Sequence, residues 1–594
     1  MRGVVPALFA TLTGILSATA AEWFVDRNHP AASDANPGSE SLPFKTIQAG
    51  VNAAQAGDTI WVKAGVYDET TTLNKSGTPV APITIAAWSN DVVRIGSVLQ
   101  DVPPPAAWSN VPGTLSWGAV LASNQPTDMM VILDGKPITT QHTNTPPLDC
   151  TVNWATYRAA DRTLMVNIGG PHPAVGHELK LARRFMGFRT TSDDAGYWVL
   201  RHLEFGWLQA GMQISGHAWA IEDCYFHDIA QYGIFPHGHV TTIARCNFWK
   251  CMPALIASGE AAVTVLEDSL FIDCSGAWFE DPVWRERIFY GASLSGDPGC
   301  EAVEFKGGGF AHTLRYNIFD DNRGGALWYD GGETTQGRMI GNAFWECGGP
   351  YNEYAVNDTL YLGNYFYYSG ISTRHCTRVD VVDNFFYGGN VTWMHHAHWP
   401  LANSYMVLRG NAFVPARYGY LWMQGGWGEP YMNTNGYRTC LVDYNRIRVP
   451  TNCPWLYDGT QVVYGISAIR SLYGWELHGD GQTYNPANND LTPEAMGGSV
   501  ATLRVPWGRR VCWGSRPILT DRSIGQPWPG AAHLRSRAGA PPFFWRVADG
   551  NCDWQTLPEA RRWQADESRW WPSVVQADGT LSANHGCQWF LDAD

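Results

Sequence analysis

Two carboxylates, Asp330 and Glu353, fall at matching places in successive glycine-led segments of this chain, and cationic residues flank them in the same series. The segments open at Gly325, Gly349, Gly370 and Gly389, and a few residues on they carry Tyr329/Asp330, Glu353/Tyr354, Arg374/His375 and Met394/His395/His396. The segment before them supplies Glu301, Glu304 and Lys306, of which Glu304 and Lys306 flank Phe305 and so share one face of an extended strand. If each segment is a strand and the strands stack in order, neighbouring acids stand ~4.8 Å apart at the backbone. A retaining glycosidase needs its two carboxyl groups about 5 Å apart. Glu304 and Glu353, two strands apart at roughly 9.5 Å, come nearer the inverting range. Like charge at such short range raises the pKa of one acid and keeps it protonated, as a general acid requires. The expected catalytic pair is therefore Asp330 and Glu353. Glu304, Lys306, Trp328, Arg374, His375, His396 and His398 are the expected substrate contacts, and no metal site is expected.

Other residues carry weaker signals. His395, His396 and His398 resemble a metal cluster, but adjacent residues of a strand face opposite ways, so at most His396 and His398 converge; hydrogen bonds to sugar hydroxyls suit them better. His237 and His239 alternate in the same manner several segments away, consistent with substrate subsites. Asp320 and Asp321 read as turn formers. Trp328, Trp393 and Trp399 beside mixed acids and bases favour a working surface over a polar face that is merely solvated.

The elements that would position these groups announce themselves by a repeat. Asn317-Ile-Phe319, Asn342-Ala-Phe344, Asn364-Tyr-Phe366, Asn384-Phe-Phe386 and Asn411-Ala-Phe413 recur at steps of 25, 22, 20 and 27 residues (342−317, 364−342, 384−364, 411−384). Cys224-Tyr-Phe226, Cys246-Asn-Phe248 and Ser269-Leu-Phe271 hold the same slot upstream. Repeats of that length signal a solenoid. The intervening segments are short, rich in Val, Ile, Tyr, Phe and Gly, and lack a 3.6-residue apolar period, so each coil is strands and turns: a parallel β-helix. Stacked asparagines can satisfy the buried amides at each bend, and the Phe two residues on should stack as core. Cys251, Cys274 and Cys347, three residues after that Phe, should form a further inward column of small buried hydrophobes.

Composition agrees. The chain of 594 residues is 45% hydrophobic and 16% charged with 62 Gly and 29 Trp, which describes a folded, turn-rich protein. Its net charge of −14 argues against a nucleic-acid partner. Residues 1–20, with Arg2, an apolar run and Ala18-Thr-Ala20, read as a secretory signal peptide, and no later stretch is long and apolar enough to span a bilayer. A secreted or periplasmic monomer is expected. Thirteen cysteines leave at least one thiol unpaired; Cys440 with Cys453, or pairs among Cys512, Cys552 and Cys587, are open possibilities.

Residues 21–97 read as an N-terminal cap and first coil, in which Thr46–Gln55 has helical spacing and Gly57-Asp58 breaks it before a strand at Thr59–Lys63. An amphipathic helix there would cover the exposed end of the solenoid. Between 98 and 187 the coil rhythm stops and strands separated by Pro/Gly turns suggest an inserted β-module, with Asp134-Gly135 a hairpin signal. Trp108, Trp117 and Trp154 there suit packing better than sugar binding. The coils resume over 188–485, and 486–594 is a Trp-rich extension without a motif.

PFKTIQAG, GDTIWVKAGVY and SGTPVAPITI resemble the opening of secreted right-handed parallel β-helix proteins that act on polysaccharides, and GALWYDGGETTQGRMIGNAFWECGG resembles glycoside hydrolase family 141. The resemblance, over 23–97 and 188–480, implies fucosidase- or xylanase-like hydrolysis of a plant or algal glycan without a cofactor. A rival reading is a polysaccharide lyase, in which Glu301 and Glu304 would hold Ca2+, Lys306 would remove a proton and Arg374 would bind the uronate. A non-catalytic glycan-binding protein is the third.

Overall fold

The computed structural model describes residues 20–484 except 126–128, 135, 144–153, 183–185, 230–231, 252, 259–261, 273, 275–300, 307–310, 321, 323–324, 331–335, 346, 354–358, 375, 377, 383, 396–404, 416–418 and 426–439, together with 520–521, 526–527, 561–562 and 590–591. Three thirteen-stranded sheets, parallel except for the strand Val462–Val463 that ends the third, wind together as a right-handed parallel β-helix. Each coil passes through them in turn, as in His217–Glu222 of the first sheet, Tyr225–Ile229 of the second and Ile234–Pro236 of the third.

The bend from first to second sheet explains the repeat. The residue before the asparagine slot is left-handed in coil after coil, for example Asp223, Arg245, Asp268 and Tyr316 at φ 50–61°, then Gly341 and Gly363 at φ 62° and 63°, where glycine has no Cβ penalty. Such a bend turns buried amides out of the ladder, and the asparagines take them up. The Asn342 backbone N–H donates to Asn364 Oδ1 at 2.8 Å, and Asn342 Nδ2 donates to the same oxygen at 3.0 Å and to the Leu314 carbonyl at 2.9 Å. Asn317, Asn364, Asn384 and Asn411 repeat the pattern. Ser269 fills the slot in the preceding coil, its Oγ accepting from the Cys246 N–H at 3.1 Å.

Two residues on, Phe205, Phe226, Phe248, Phe271, Phe319, Phe344, Phe366, Phe386 and Phe413 form one inward stack with centroids 4.5–5.0 Å apart. That spacing is the strand spacing, so near-parallel rings pack without tilting the sheet. Cys251, Cys274 and Cys347 are buried as expected, and Asn322 joins that bend, accepting from the Cys274 N–H at 2.8 Å. Cys440 and Cys453, each half-buried, are not joined by a disulfide. The cysteines at 512, 552 and 587 lie outside the described residues.

At the N-terminal end, helix Ile47–Ala53 packs Ile47 and Val51 on the first coil and is capped by Thr46, whose Oγ1 accepts from the Ala49 N–H at 3.1 Å. Strands between Gln100 and Ala182 form a separate eight-stranded sheet. It is antiparallel apart from Lys136–Thr143 beside Trp154–Arg158. Leu133 opposite Lys136 closes the hairpin at Asp134. Trp108 is buried in that sheet's own core, with Trp117 packed against it. The side chain of Trp154 lies outside the described part of the structure, as do residues 1–19. No helix among the described residues is long and apolar enough to cross a membrane.

Candidate functional site

The third sheet carries the candidate chemistry. Its strands Val303–Lys306, Leu327–Asp330, Tyr351–Glu353, Ile371–Arg374 and Val391–His395 are consecutive neighbours, and their register is fixed by the apolar inward positions. Val303, Phe305, Leu327, Tyr329, Ile371, Thr373, Val391 and Trp393 are buried on the core side. The alternate positions therefore face away from the core. Along one such row Lys306 is opposite Asp330, Asp330 opposite Glu353, Glu353 opposite Arg374 and Arg374 opposite Met394. The two acids expected from the sequence thus occupy adjacent strands at one register position, bracketed by the lysine and the arginine. The side chains of Lys306, Asp330, Glu353 and Arg374 lie outside the described part of the structure. His375, His396 and His398 lie outside the described residues altogether, as do Trp399 and Asp321.

A second row runs two residues earlier: Ile256, Glu304, Trp328, Tyr351, Ser372, Thr392, Trp422 and Tyr457. Glu304 and Trp328 have the outward parity expected, yet each keeps only 4% of its surface exposed. These two expected substrate contacts are thus largely covered, Trp328 stacking on Tyr351 at 6.5 Å. Trp422 and Tyr457 make a second aromatic pair at 4.5 Å. Trp393 was expected beside the site and is instead in the core, 1% exposed, because it shares the inward parity of Val391 two residues earlier. Asp320 is not a turn residue: it ends the strand Ile318–Asp320 and is buried.

His237 and His239, with one residue between them, part company. His239 begins a strand of the first sheet opposite His217, and burial followed by the charge of His217 lowers its pKa. His237 follows the third-sheet strand Ile234–Pro236 and is exposed.

A polar cluster unforeseen from the sequence lies on the second sheet. His227 Nε2 meets Glu204 Oε1 at 3.0 Å and its Nδ1 meets Asp228 Oδ2 at 2.8 Å, while Arg94 Nε donates to the same Glu204 oxygen. All but Arg94 are buried. Burial alone would lower the His227 pKa, but the bonds and charges of Asp228 and Glu204 outweigh it and raise it to about 9. Burial likewise opposes ionisation of Glu204, and His227 with Arg94 reverses that and brings it to about 2. Nearby Trp207 packs with Met130, Ile132 and Ala182 of the eight-stranded sheet, so the ions lie beside the seam where that sheet meets the coils. Polar residues scattered over three coils gave no local motif.

Among the described residues no three His, Cys, Asp or Glu side chains gather to hold a metal ion.

Residues 31–75 match the model of a family described as a protein of unknown function (DUF1565). An uncharacterized protein of Bacillus subtilis (strain 168), YwoF, is 38% identical over 66 residues, a match that spans 11% of this chain and 14% of the relative's length. Among solved structures, XylC in complex with xylose superposes with a TM-score of 0.47 at 13% identity, over 78% of this chain and 86% of its own. A mannuronic acid specific polysaccharide family 6 lyase from human gut microbiota gives 0.37 at 11%, over 80% and 94%. A GH136 lacto-N-biosidase from Eubacterium ramulus gives 0.32 at 11%, over 78% and 68%.

Proposed function

We propose that this protein is a secreted glycoside hydrolase that cleaves a polysaccharide or its oligosaccharides on the outer face of the third sheet, with Asp330 and Glu353 as the carboxylate pair. The supporting observation is the register row Lys306–Asp330–Glu353–Arg374. Adjacent strands separate the two acid positions by ~4.8 Å at the backbone, which favours the close pairing of a retaining mechanism. In that chemistry one carboxyl protonates the leaving oxygen while the other attacks the anomeric carbon, and water then releases the glycosyl-enzyme with the first group acting as base. The flanking cations stabilise the ionised member of the pair and orient the sugar.

The same row supports a second reading as a lyase, because a lysine and an arginine bracket the acids. There Lys306 would take the proton beside a uronate and Arg374 would hold its carboxylate. Glu301 and Glu304, both buried just before Lys306 in the chain, would be the carboxylates to hold Ca2+ in that reading. Product analysis on a panel of plant and algal polysaccharides separates the two. Hydrolysis yields saturated reducing ends, and activity survives chelation. New ultraviolet absorbance from unsaturated uronic ends, abolished by chelator, would overturn the hydrolase in favour of the lyase.

A further inference from the structure

The row that holds the acid pair continues toward the N-terminal coils and meets a preassembled cluster there. Ile234 pairs with Leu255, Ser258 with Lys306 and Lys306 with Asp330; continuing the Ile234–Leu255 register three residues on, just beyond the strand end at Pro236, brings His237 level with Ser258, three strand spacings or about 14 Å from Asp330. Phe235, two residues earlier in the alternation, stands in the Glu304–Trp328 row. Gln213 is opposite Phe235 on the next strand and lies between Met212 and Ile214, which are buried inside the coil. Phe235 and Gln213 therefore face outward.

These side chains hold one another in place without a ligand. The Tyr232 hydroxyl donates to Gln213 Oε1 at 3.5 Å, and Gln213 Nε2 lies 2.7 Å from His237 Nε2. With the amide as donor, His237 Nε2 is the acceptor, and the ring is the neutral tautomer with its proton on Nδ1. The Phe235 ring lies 4.2 Å from the His237 ring and meets Tyr232 edge-on at 4.9 Å. The His237 backbone N–H is tied to the Ile214 carbonyl at 2.7 Å. His237 is exposed, and Phe235, Tyr232 and Gln213 are half-buried.

A partly open aromatic surface beside a fixed amide and an imidazole N–H is what a pyranose ring requires: an apolar face for its C–H groups and fixed polar partners for its hydroxyls. Because the side chains are already ordered, little conformational entropy is lost on binding. We propose that Phe235, His237 and Gln213 form a distal subsite for one sugar unit of a glycan chain that runs along the helix axis to Asp330 and Glu353. The assignment rests on the reading of those acids as the cleavage site. A span of about 14 Å exceeds one sugar ring, so the substrate is a chain of several units, with a neutral polar contact at this end.

The test is affinity electrophoresis of the full chain in native gels cast with soluble xylan, polygalacturonate, alginate or fucoidan. At least one polymer should retard the wild-type protein, and Phe235→Ala and His237→Ala should each weaken that retardation about tenfold in apparent dissociation constant. Phe235→Leu, which keeps apolar volume but lacks the ring, should behave like Phe235→Ala, and exposed His237 can be removed without touching the core. Wild-type retardation that all three variants retain, or a wild-type protein that no polymer retards, overturns the subsite. Asp330→Asn separates the two proposals. If it loses turnover while the Phe235 and His237 variants bind normally, the cleavage site stands and the subsite falls. If the subsite variants lose binding while Asp330→Asn and Glu353→Gln keep turnover, the subsite stands and the cleavage site lies elsewhere.

Discussion

Asn445 ends the asparagine ladder on a carboxylate: its side-chain Nδ2 donates to Glu476 Oε1 at 2.8 Å and its backbone N–H to Oε2 at 3.2 Å. Every earlier asparagine rung is received by the next asparagine, and here Glu476, left-handed at φ 54°, receives it just ahead of the last described strand of the second sheet, Asp480–Tyr484. Burial raises its pKa to about 7 against the pull of those two bonds.

That shift fixes a pH dependence. The folded pKa lies above the ordinary glutamate value, so the folded state binds the proton more tightly than the unfolded chain does. Stability from this group is complete below the unfolded pKa and declines as pH rises through about 7. Glu476→Gln cannot ionise but turns one amide N–H toward a donor. Its melting temperature should therefore fall below wild type at pH 4 and gain on it steadily to pH 8, a relative change on the order of 3 kcal/mol. Parallel melting curves over that range would place the group wrongly.

Asn364 tests the ladder away from its ends. Its Oδ1 accepts two bonds from Asn342, and its Nδ2 donates to the Met339 carbonyl and to Asn384 Oδ1. Asn364→Ala strands buried donors on Asn342, at about 1–3 kcal/mol for each unsatisfied group. Asn364→Ser should cost less, because Ser269 already serves in this slot. Chemical denaturation should rank wild type above Ser above Ala; Ala equal to wild type would make the ladder decorative.

The fold was legible because a β-helix writes its period into the chain. Each coil must solve the same bend, so Asn-x-Phe returns, and its phase predicts the sheet. Outward positions carry no such redundancy. Register follows from the inward residues, which is why Asp330, Glu353 and Arg374 fall in one row as expected. Burial on the outer face depends on what packs along it, which is why Glu304 and Trp328 are covered and Trp393, one place off in phase, is core. Glu204, His227 and Asp228 escaped notice for a related reason: their partner Arg94 is 110 residues from Glu204, across the inserted sheet.

That cluster makes a separate prediction. His227, cationic between two carboxylates, has a folded pKa raised to about 9, so its contribution is present below its unfolded pKa and is lost as pH climbs toward 9. His227→Ala leaves two buried carboxylates with Arg94 as the remaining cation, and removing one member of a buried ionic set typically costs about 3–5 kcal/mol. The loss should be largest at pH 6–7 and smaller at pH 9, measured by urea denaturation. A pH-independent loss would point to lost packing against Tyr225, whose ring stacks on His227 at 4.5 Å.

The catalytic pair is tested by substitution and rescue. Asp330 and Glu353 are adjacent on the third sheet, whereas the Asn bends and the Phe stack that hold the coils belong to the second sheet and its approach. Asp330→Asn and Glu353→Gln should therefore each reduce turnover by about two orders of magnitude or more while melting within a few degrees of wild type. The two roles are distinguished by truncation. With the nucleophile replaced by Ala, azide can enter the vacated space and attack an activated aryl glycoside, restoring cleavage and giving a glycosyl azide. With the general acid replaced by Ala, an aryl glycoside whose leaving group needs no proton should still form the glycosyl-enzyme, and azide should speed its breakdown in place of base-assisted water. The configuration of the azide product tells the cases apart: inverted when the nucleophile is missing, retained when the acid is. Near wild-type turnover in both Asp330→Asn and Glu353→Gln would move the site along the sheet, where Glu304 with Lys306 is the next pair to substitute.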